Sequence, residues 1–301
     1  MAADPAAAGQ RQDETAGAWI ERAPAKINLY LHVTGQRADG YHLLDSLAVF
    51  PSIGDLLEAE PASGLSLAID GPFGDGLPAD GDNLVLRAAE AMARGRGLGA
   101  ALRLTKNLPI ASGIGGGSSD AAGALRLLSR LWDRPIPPGL PLSLGADVPV
   151  CLGADAQRMQ GIGEALSTCP PLPDAWIVLV NPLQAVPTGA VFSGLASKTN
   201  PPAPDLPAFQ GFEEMILWLG QQRNDLEAPA RAQCPAISRV LSALSDTPLA
   251  RMSGSGATCF SLFPSESAAQ ACAERLRREE RGWWVASAPL QSETPAALEP
   301  V

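Results

Sequence analysis

The chain has 301 residues, 46% of them hydrophobic and 18% charged, and a formal net charge of −10. That length holds one large or two ordinary domains of a soluble globular protein. The acidic balance excludes a general nucleic-acid binder, whose phosphate contacts need clustered Lys and Arg.

Lysine occurs only at Lys26, Lys106 and Lys198, so an anionic ligand would need a local positive pocket. The five cysteines are scattered, with no Cys-x-x-Cys and no Cys/His cluster. Neither a disulfide framework nor a zinc site is indicated, and a reducing, cytoplasmic setting is expected. No apolar stretch approaches the ~20 residues needed to span a bilayer, so no membrane partner is expected. The Ala-rich start, residues 1–18, lacks the basic and apolar regions of a signal peptide and reads as a disordered leader.

From Ala25 to Val33 apolar and polar residues alternate, which predicts a strand. Ile27, Leu29, Leu31 and Val33 share one face, with Lys26, Asn28, Tyr30 and His32 on the other. Lys26 and Asn28 therefore project side by side, either on a solvent-facing strand surface or into a site. A turn over Gly35–Gly40 leads to Tyr41-His42, where a ring able to stack on a base adjoins an imidazole able to bond its edge. A core Tyr beside a surface His fits these residues equally well. Short strands are expected over 47–50, 55–59 and 65–69, then a loop over 71–81. Asp82 is expected to cap a helix running from Asn83 to about Ala93, ended by Gly95–Gly99.

The most informative stretch is Pro109-Ile-Ala-Ser-Gly-Ile-Gly-Gly-Gly-Ser-Ser-Asp-Ala-Ala122, between a strand over 102–106 and an apolar-periodic helix over 121–132. Glycines let backbone approach a ligand closely. Ser118, Ser119 and Asp120 suit helix caps, and the helix start offers free N–H groups and a positive dipole end. A nucleotide triphosphate cradle is expected, against the alternative of a linker or a turn that binds nothing. No Gly-Lys-Ser/Thr follows, so this is not a Walker A loop, and the glycine spacing is not that of a dinucleotide fingerprint. Charge neutralisation must come from elsewhere.

Asp147 lies in Leu144-Gly-Ala-Asp-Val-Pro149 and suits either a general base or a helix cap. A turn over Gln160–Glu164 precedes Pro170, Pro171 and Pro173, which suggest a domain junction. Thereafter helices are expected at Thr188, over 209–221, 232–244 and 267–280. Strands are expected over 176–180, 249–253, 258–263 and 283–287. This mixture suggests a ferredoxin-type α/β sandwich. Ser253-Gly-Ser-Gly256 is a second tight turn, a plain hairpin by default, and residues from Pro289 onward read as a loose tail.

Pro24-Ala-Lys-Ile-Asn-Leu29, Asp39-Gly-Tyr-His42, Pro109–Ala122, Gly145-Ala-Asp-Val-Pro149 and Met252-Ser-Gly-Ser-Gly-Ala257 together resemble the GHMP kinase superfamily. Within it they resemble the branch acting on a cytidine-diphosphate-linked methylerythritol. The resemblance runs from about Ala23 to Phe263. It implies an α+β, two-domain GHMP kinase fold, with a ribosomal-protein-S5-like N-terminal α/β domain over 19–168. A ferredoxin-like α/β sandwich would follow over 169–288, then the loose tail, 289–301.

The resemblance also implies roles. ATP would be the co-substrate, with Mg²⁺ expected beside it and its protein ligands unassigned. Pro109, Ile110, Ala111, Ser112, Gly113, Ile114, Gly115, Gly116, Gly117, Ser118 and Ser119 would wrap its phosphates, with Lys106 contributing. Asp147 would take the proton from the substrate hydroxyl, and Lys26 would keep Asp147 ionised and favour charge on the moving phosphoryl group. Asn28 would orient the substrate, Tyr41 and Phe192 would flank the cytosine ring, and His42 would bond its edge. A different GHMP small-molecule kinase, or a nucleotide-binding regulator without chemistry, are the alternatives.

Overall fold

The structure is a computed structural model and describes residues 18–291. The expected leader, apart from its last residue, and the tail from 292 lie outside the described residues. In chain order the first half comprises β1 Trp19–Pro24, β2 Ile27–Gln36, β3 His42–Val49, β4 Gly54–Pro61, β5 Leu65–Asp70, α1 Leu84–Ala93, β6 Ala100–Thr105, α2 Gly116–Leu131, α3 Leu140–Leu144, α4 Val148–Gly153, β7 Gln157–Gly161 and β8 Ala165–Thr168. The second half comprises β9 Trp176–Asn181, α5 Thr188–Ser193, α6 Phe212–Gly220, α7 Glu227–Gln233, α8 Pro235–Ala243, β10 Ala250–Met252, β11 Cys259–Phe263, α9 Glu266–Glu279 and β12 Trp284–Pro289.

These strands make three four-stranded sheets, ordered β1-β4-β6-β5, β2-β3-β7-β8 and β10-β11-β9-β12. The first is antiparallel apart from the parallel β5–β6 pair, which α1 connects. Its apolar face packs on α1 and α2, where Leu57, Leu104, Val85, Leu125 and Leu128 form one core. The third sheet is antiparallel with the strand order of a ferredoxin-like sandwich. Alternation gives β9 and β11 two apolar faces. Val178, Val180 and Cys259 meet α7, α8 and α9. Ile177, Leu179, Phe260 and Leu262 meet Ile27, Leu29 and Val49 of the second sheet, together with α6.

The expected polar face of β2 is not solvated: Tyr30 is 0% and His32 1% exposed. Register shifts at Asn28/Tyr30 and Val33/Gly35 re-aim the strand, so Ile27 and Leu29 enter one core while Leu31 and Val33 enter the other. Four further expectations change. α1 is capped by Asn83, whose side chain accepts from the Val85 N–H, rather than by Asp82. The helix expected over 232–244 is divided at Cys234-Pro235, since Pro235 cannot continue the ladder and starts α8 instead. β1, β7 and β8 were not expected. Finally, order continues past Pro289: it pairs with Trp176, and Leu290, 1% exposed, donates its N–H to Ala175 O at 2.8 Å.

Candidate active site

β1 and β2 belong to different sheets, and Ala25-Lys26 is the step between them. The Lys26 N–H donates to Ile114 O at 2.9 Å, which fastens this step to the glycine loop. The loop ends in Gly115, the N-cap of α2, with φ +65°. Left-handed backbone suits glycine, and a Cβ there would press on Lys26 Cβ at 3.1 Å. α2 thus starts at Gly116, five residues earlier than expected, and Ser118, Ser119 and Asp120 lie inside its first turns. The N-cap has no side-chain partner, which leaves the N–H groups of Gly116, Gly117 and Ser118 without intrahelical acceptors. The Ser119 N–H is the first used, on Gly115 O at 2.8 Å.

The Ser253–Gly256 turn is more than a hairpin, because it forms the back wall of this loop. Thr258 N–H donates to Ser112 O at 3.1 Å and Ser253 Oγ to Gly113 O at 3.2 Å. A Cβ on Gly113 (φ +72°) would stand 2.6 Å from both N and O of Gly256.

The head of α2 opens on a cavity of about 1020 Å³. Lys26 and Asp147, 121 residues apart, meet on its wall with Nζ–Oδ2 at 2.7 Å. Lys26 is 5% exposed and the Asp147 side chain 36%. Asp147 occupies the N-cap position of α4, but its side chain makes no cap bond. Arg126 of α2 steadies α4 by donating to the carbonyls of Cys151 (2.7 Å) and Leu152 (3.1 Å), where the helix dipole is negative.

Beneath the first turn, Lys106 Nζ donates to Asp55 and, at 2.6 Å, to Asp120 Oδ2. Asp55 Oδ1 also accepts from the Asn107 and Leu108 N–H groups. Burial alone would lower the Lys106 pKa, but Asp120 and Asp55 outweigh it and raise the pKa. Burial, with the charge of Asp55, pushes Asp120 up to about 8 against the pull of Lys106. Asp120 Oδ1 is buried and has no partner among the described residues, and Asp120 lines the cavity.

At the other end of the cavity lie Tyr41, 58% exposed, His42 and Phe192. The rings of His42 and Phe192 stack on each other at 4.7 Å with 27° between planes. Phe192 therefore already has a partner on one face. Burial, then the Lys198 charge, lowers the His42 pKa, and its Nε2 lacks a partner among the described residues.

Most of the residues expected at the site line this one cavity: Lys26, Asn28, Tyr41, His42, Lys106, Pro109–Gly113, Gly115–Ser118, Asp147 and Phe192. Ile114 and Ser119 do not. Ile114 is fully buried in the core under β2, and the Ser119 hydroxyl donates backwards to Pro24 O at 2.5 Å. Their neighbours face the cavity and they face the protein. Residues not anticipated on the wall include Leu77, Pro78, Asn83 and Leu84 from the loop before α1 and its first turn, and Lys198. Thr188 and Ser255 also line it, with their hydroxyl oxygens 3.0 Å apart. The Ser-Gly-Ser-Gly pattern signalled Ser255, whereas nothing in the loop over 71–81 singled out Leu77 or Pro78.

Two family models match the chain: the GHMP kinases N terminal domain over residues 83–156 and GHMP kinases C terminal over 203–281. A 4-diphosphocytidyl-2-C-methyl-D-erythritol kinase of Cereibacter sphaeroides is 58% identical over 274 residues, 89% of this chain and 98% of that protein. The chain belongs to the GHMP kinase family. It is accordingly an ATP-dependent small-molecule kinase. The Ruegeria pomeroyi kinase of the same name is 57% identical to this GHMP kinase, over 88% of this chain and 96% of its own. A crystal structure of 4-(cytidine 5'-diphospho)-2C-methyl-D-erythritol kinase superposes with TM-score 0.76 at 33% identity, covering 91% of this chain and all of that one. Homoserine kinase from Cytophaga hutchinsonii shares the fold alone, with TM-score 0.62 and 16% identity over 94% of this chain and 98% of its own. Among the described residues no helix is long and apolar enough to cross a membrane.

Proposed function

We propose that this kinase transfers the γ-phosphoryl group of ATP to the 2-hydroxyl of 4-diphosphocytidyl-2-C-methyl-D-erythritol, a step of the methylerythritol phosphate route to isoprenoids. The observation that carries the reading is the Lys26–Asp147 pair, 2.7 Å apart at the head of α2 in the cavity that also holds Tyr41, His42 and Phe192. The identity to relatives bearing that kinase name supports the choice of substrate.

Phosphoryl transfer asks mainly for alignment and charge stabilisation. The Gly116, Gly117 and Ser118 amides hold the polyphosphate, as helix starts do. Asp147 accepts the proton of the attacking hydroxyl as its oxygen bonds to the γ-phosphorus and the bond to the bridging oxygen of ADP breaks. Lys26 orients Asp147 with one N–H and directs its others at the phosphoryl oxygens. At the far end, Tyr41 and Phe192 flank the cytosine and His42 bonds its edge, which requires Phe192 to turn off the His42 ring it stacks on in the unliganded protein.

The donor set suits magnesium carried by the nucleotide. No cluster of three His, Cys, Asp or Glu able to hold a metal exists among the described residues. One orphaned carboxylate oxygen, Asp120 Oδ1, lies beside the phosphate cradle. One carboxylate plus phosphates and waters is a common magnesium environment. The bound ion would supply charge neutralisation on the phosphates. Asp120 would hold it, favoured in its ionised form by the cation, and Lys106 would hold Asp120. The reading includes a cytoplasmic location, supported by five free cysteines, and no nucleic-acid partner, supported by the net charge of −10.

A coupled ADP-release assay with the cytidine-linked substrate, mevalonate and homoserine tests the proposal. Turnover confined to the cytidine-linked substrate is expected. Preference for another alcohol, or nucleotide binding without turnover on any of them, would overturn it.

A further inference from the structure

The polarity of the Asn28 side chain is set by one hydroxyl. Ser46 Oγ lies 2.6 Å from Tyr30 O, a group that can only accept, so the single hydroxyl hydrogen of Ser46 goes there. Only lone pairs of Ser46 Oγ remain for the Asn28 amide 2.7 Å away, and the atom facing it must be the NH₂ group. Tyr30 is itself fully buried on β2. The Asn28 N–H is tied to Ser253 Oγ at 3.1 Å, so the residue cannot swing away.

The other end of the amide follows from this. Asn28 Oδ1 is buried without a hydrogen-bond partner among the described residues, although Asn28 lines the cavity two residues from Lys26. It faces Gly254, where a Cβ would lie 3.4 Å from it. Buried acceptors are rarely left unpaired, and one on a ligand cavity is a seat for a donor.

We propose that Ser46 is a positioning residue that locks the Asn28 amide with its carbonyl oxygen toward the cavity, so that the site requires a hydroxyl donor from its polyol substrate. The proposal rests on the polyol-kinase reading above and adds the direction of one hydrogen bond. Without Ser46 the buried NH₂ group loses its acceptor, an orphan donor being rarer and costlier than an under-used carbonyl, and the amide turns to present NH₂ to the cavity in place of Oδ1.

The test is steady-state kinetics of Ser46→Ala, Ser46→Cys and Ser46→Thr on the cytidine-linked substrate and on those single-deoxy analogues that keep the 2-hydroxyl acceptor, with melting curves of each variant. Wild type is expected to lose roughly tenfold or more in kcat/KM on one deoxy analogue. Ser46→Ala and Ser46→Cys should raise the KM of the parent substrate by a similar factor and no longer distinguish that analogue. The KM for ATP should stay within about twofold, and Ser46→Thr, which keeps both hydrogen bonds, should stay near wild type. The proposal is overturned if Ser46→Ala and Ser46→Cys retain the wild-type KM. It is equally overturned if they lose activity by the same factor on parent and every analogue, or if Ser46→Thr at unchanged Tm is as impaired as Ser46→Ala. Wild type inactive on the parent would instead refute the polyol-kinase reading, and this inference with it.

Discussion

Gly117→Ala separates the stability of α2 from its capacity to hold phosphate. Gly117 is helical, exposed and on the cavity wall, and a Cβ there would meet only Leu84 Cδ1, at 3.8 Å. Nothing in the protein opposes the methyl group. Glycine within a helix costs about 0.5–1 kcal/mol relative to alanine, so the substitution should raise Tm by roughly 1–4 °C for a chain of this size. The same methyl, however, stands where phosphate oxygens must come to about 2.9 Å from the Gly116, Gly117 and Ser118 amides. Losing one charge-assisted hydrogen bond costs about 1.5–3 kcal/mol, which corresponds to roughly a ten- to hundredfold weaker ATP affinity. Thermal melting and calorimetric titration with a non-hydrolysable ATP analogue read the two effects separately. A raised Tm with unchanged nucleotide affinity would refute the placement of phosphate at this helix start.

Gly113→Ala should do the opposite to stability, because its Cβ would sit 2.6 Å from the Gly256 backbone at φ +72°. A cost of about 1–2 kcal/mol from the backbone conformation alone should appear as a lower midpoint in urea unfolding. Lys106→Ala strands Asp55 and Asp120 together in the interior and should cost about 3–5 kcal/mol by the same measurement. His32 and His42, the only histidines, both have lowered pKa values through burial, with Arg223 and Lys198 respectively adding to it. Both imidazoles should titrate below 6.5 by NMR, each favouring the folded state above 6.5 and losing that contribution as pH falls through its folded midpoint. Cytidine diphosphate should move the His42 resonance and leave that of His32 in place.

The sequence was most legible where one local pattern does the work. Glycines followed by a periodic helix located a helix start that opens on the cavity, and strand alternation put Lys26 and Asn28 together on its wall. It was least legible where function depends on which way a residue of a correctly placed segment turns. Ser119 belongs to the cradle motif yet bonds backwards to Pro24 O, because successive residues on a helix are rotated by about 100°. The polar face of β2 could be read as solvent-facing or as a site wall, since nothing local reveals that Asn28 lines the cavity while Tyr30 and His32 are buried in the protein. Lys106 lines the cavity as expected, and the two carboxylates that hold it escaped notice because they come from positions 55 and 120, on separate elements. β7 and β8 escaped because Gln157–Gly161 and Ala165–Thr168 are short and largely polar, and the sheet that holds them is joined through the long-range pairing of β7 with β3. Leu77 and Pro78 reach the wall only through the course of a loop.

The most direct test of the central claim, that Asp147 beside Lys26 is the proton acceptor at a preformed phosphate cradle, is single-turnover phosphoryl transfer by Asp147→Asn. Calorimetric ATP affinity should be measured on the same protein. The expected result is nucleotide affinity within a few-fold of wild type and a transfer rate lower by ~10²-fold or more. Transfer at near wild-type rate with ATP bound would contradict it.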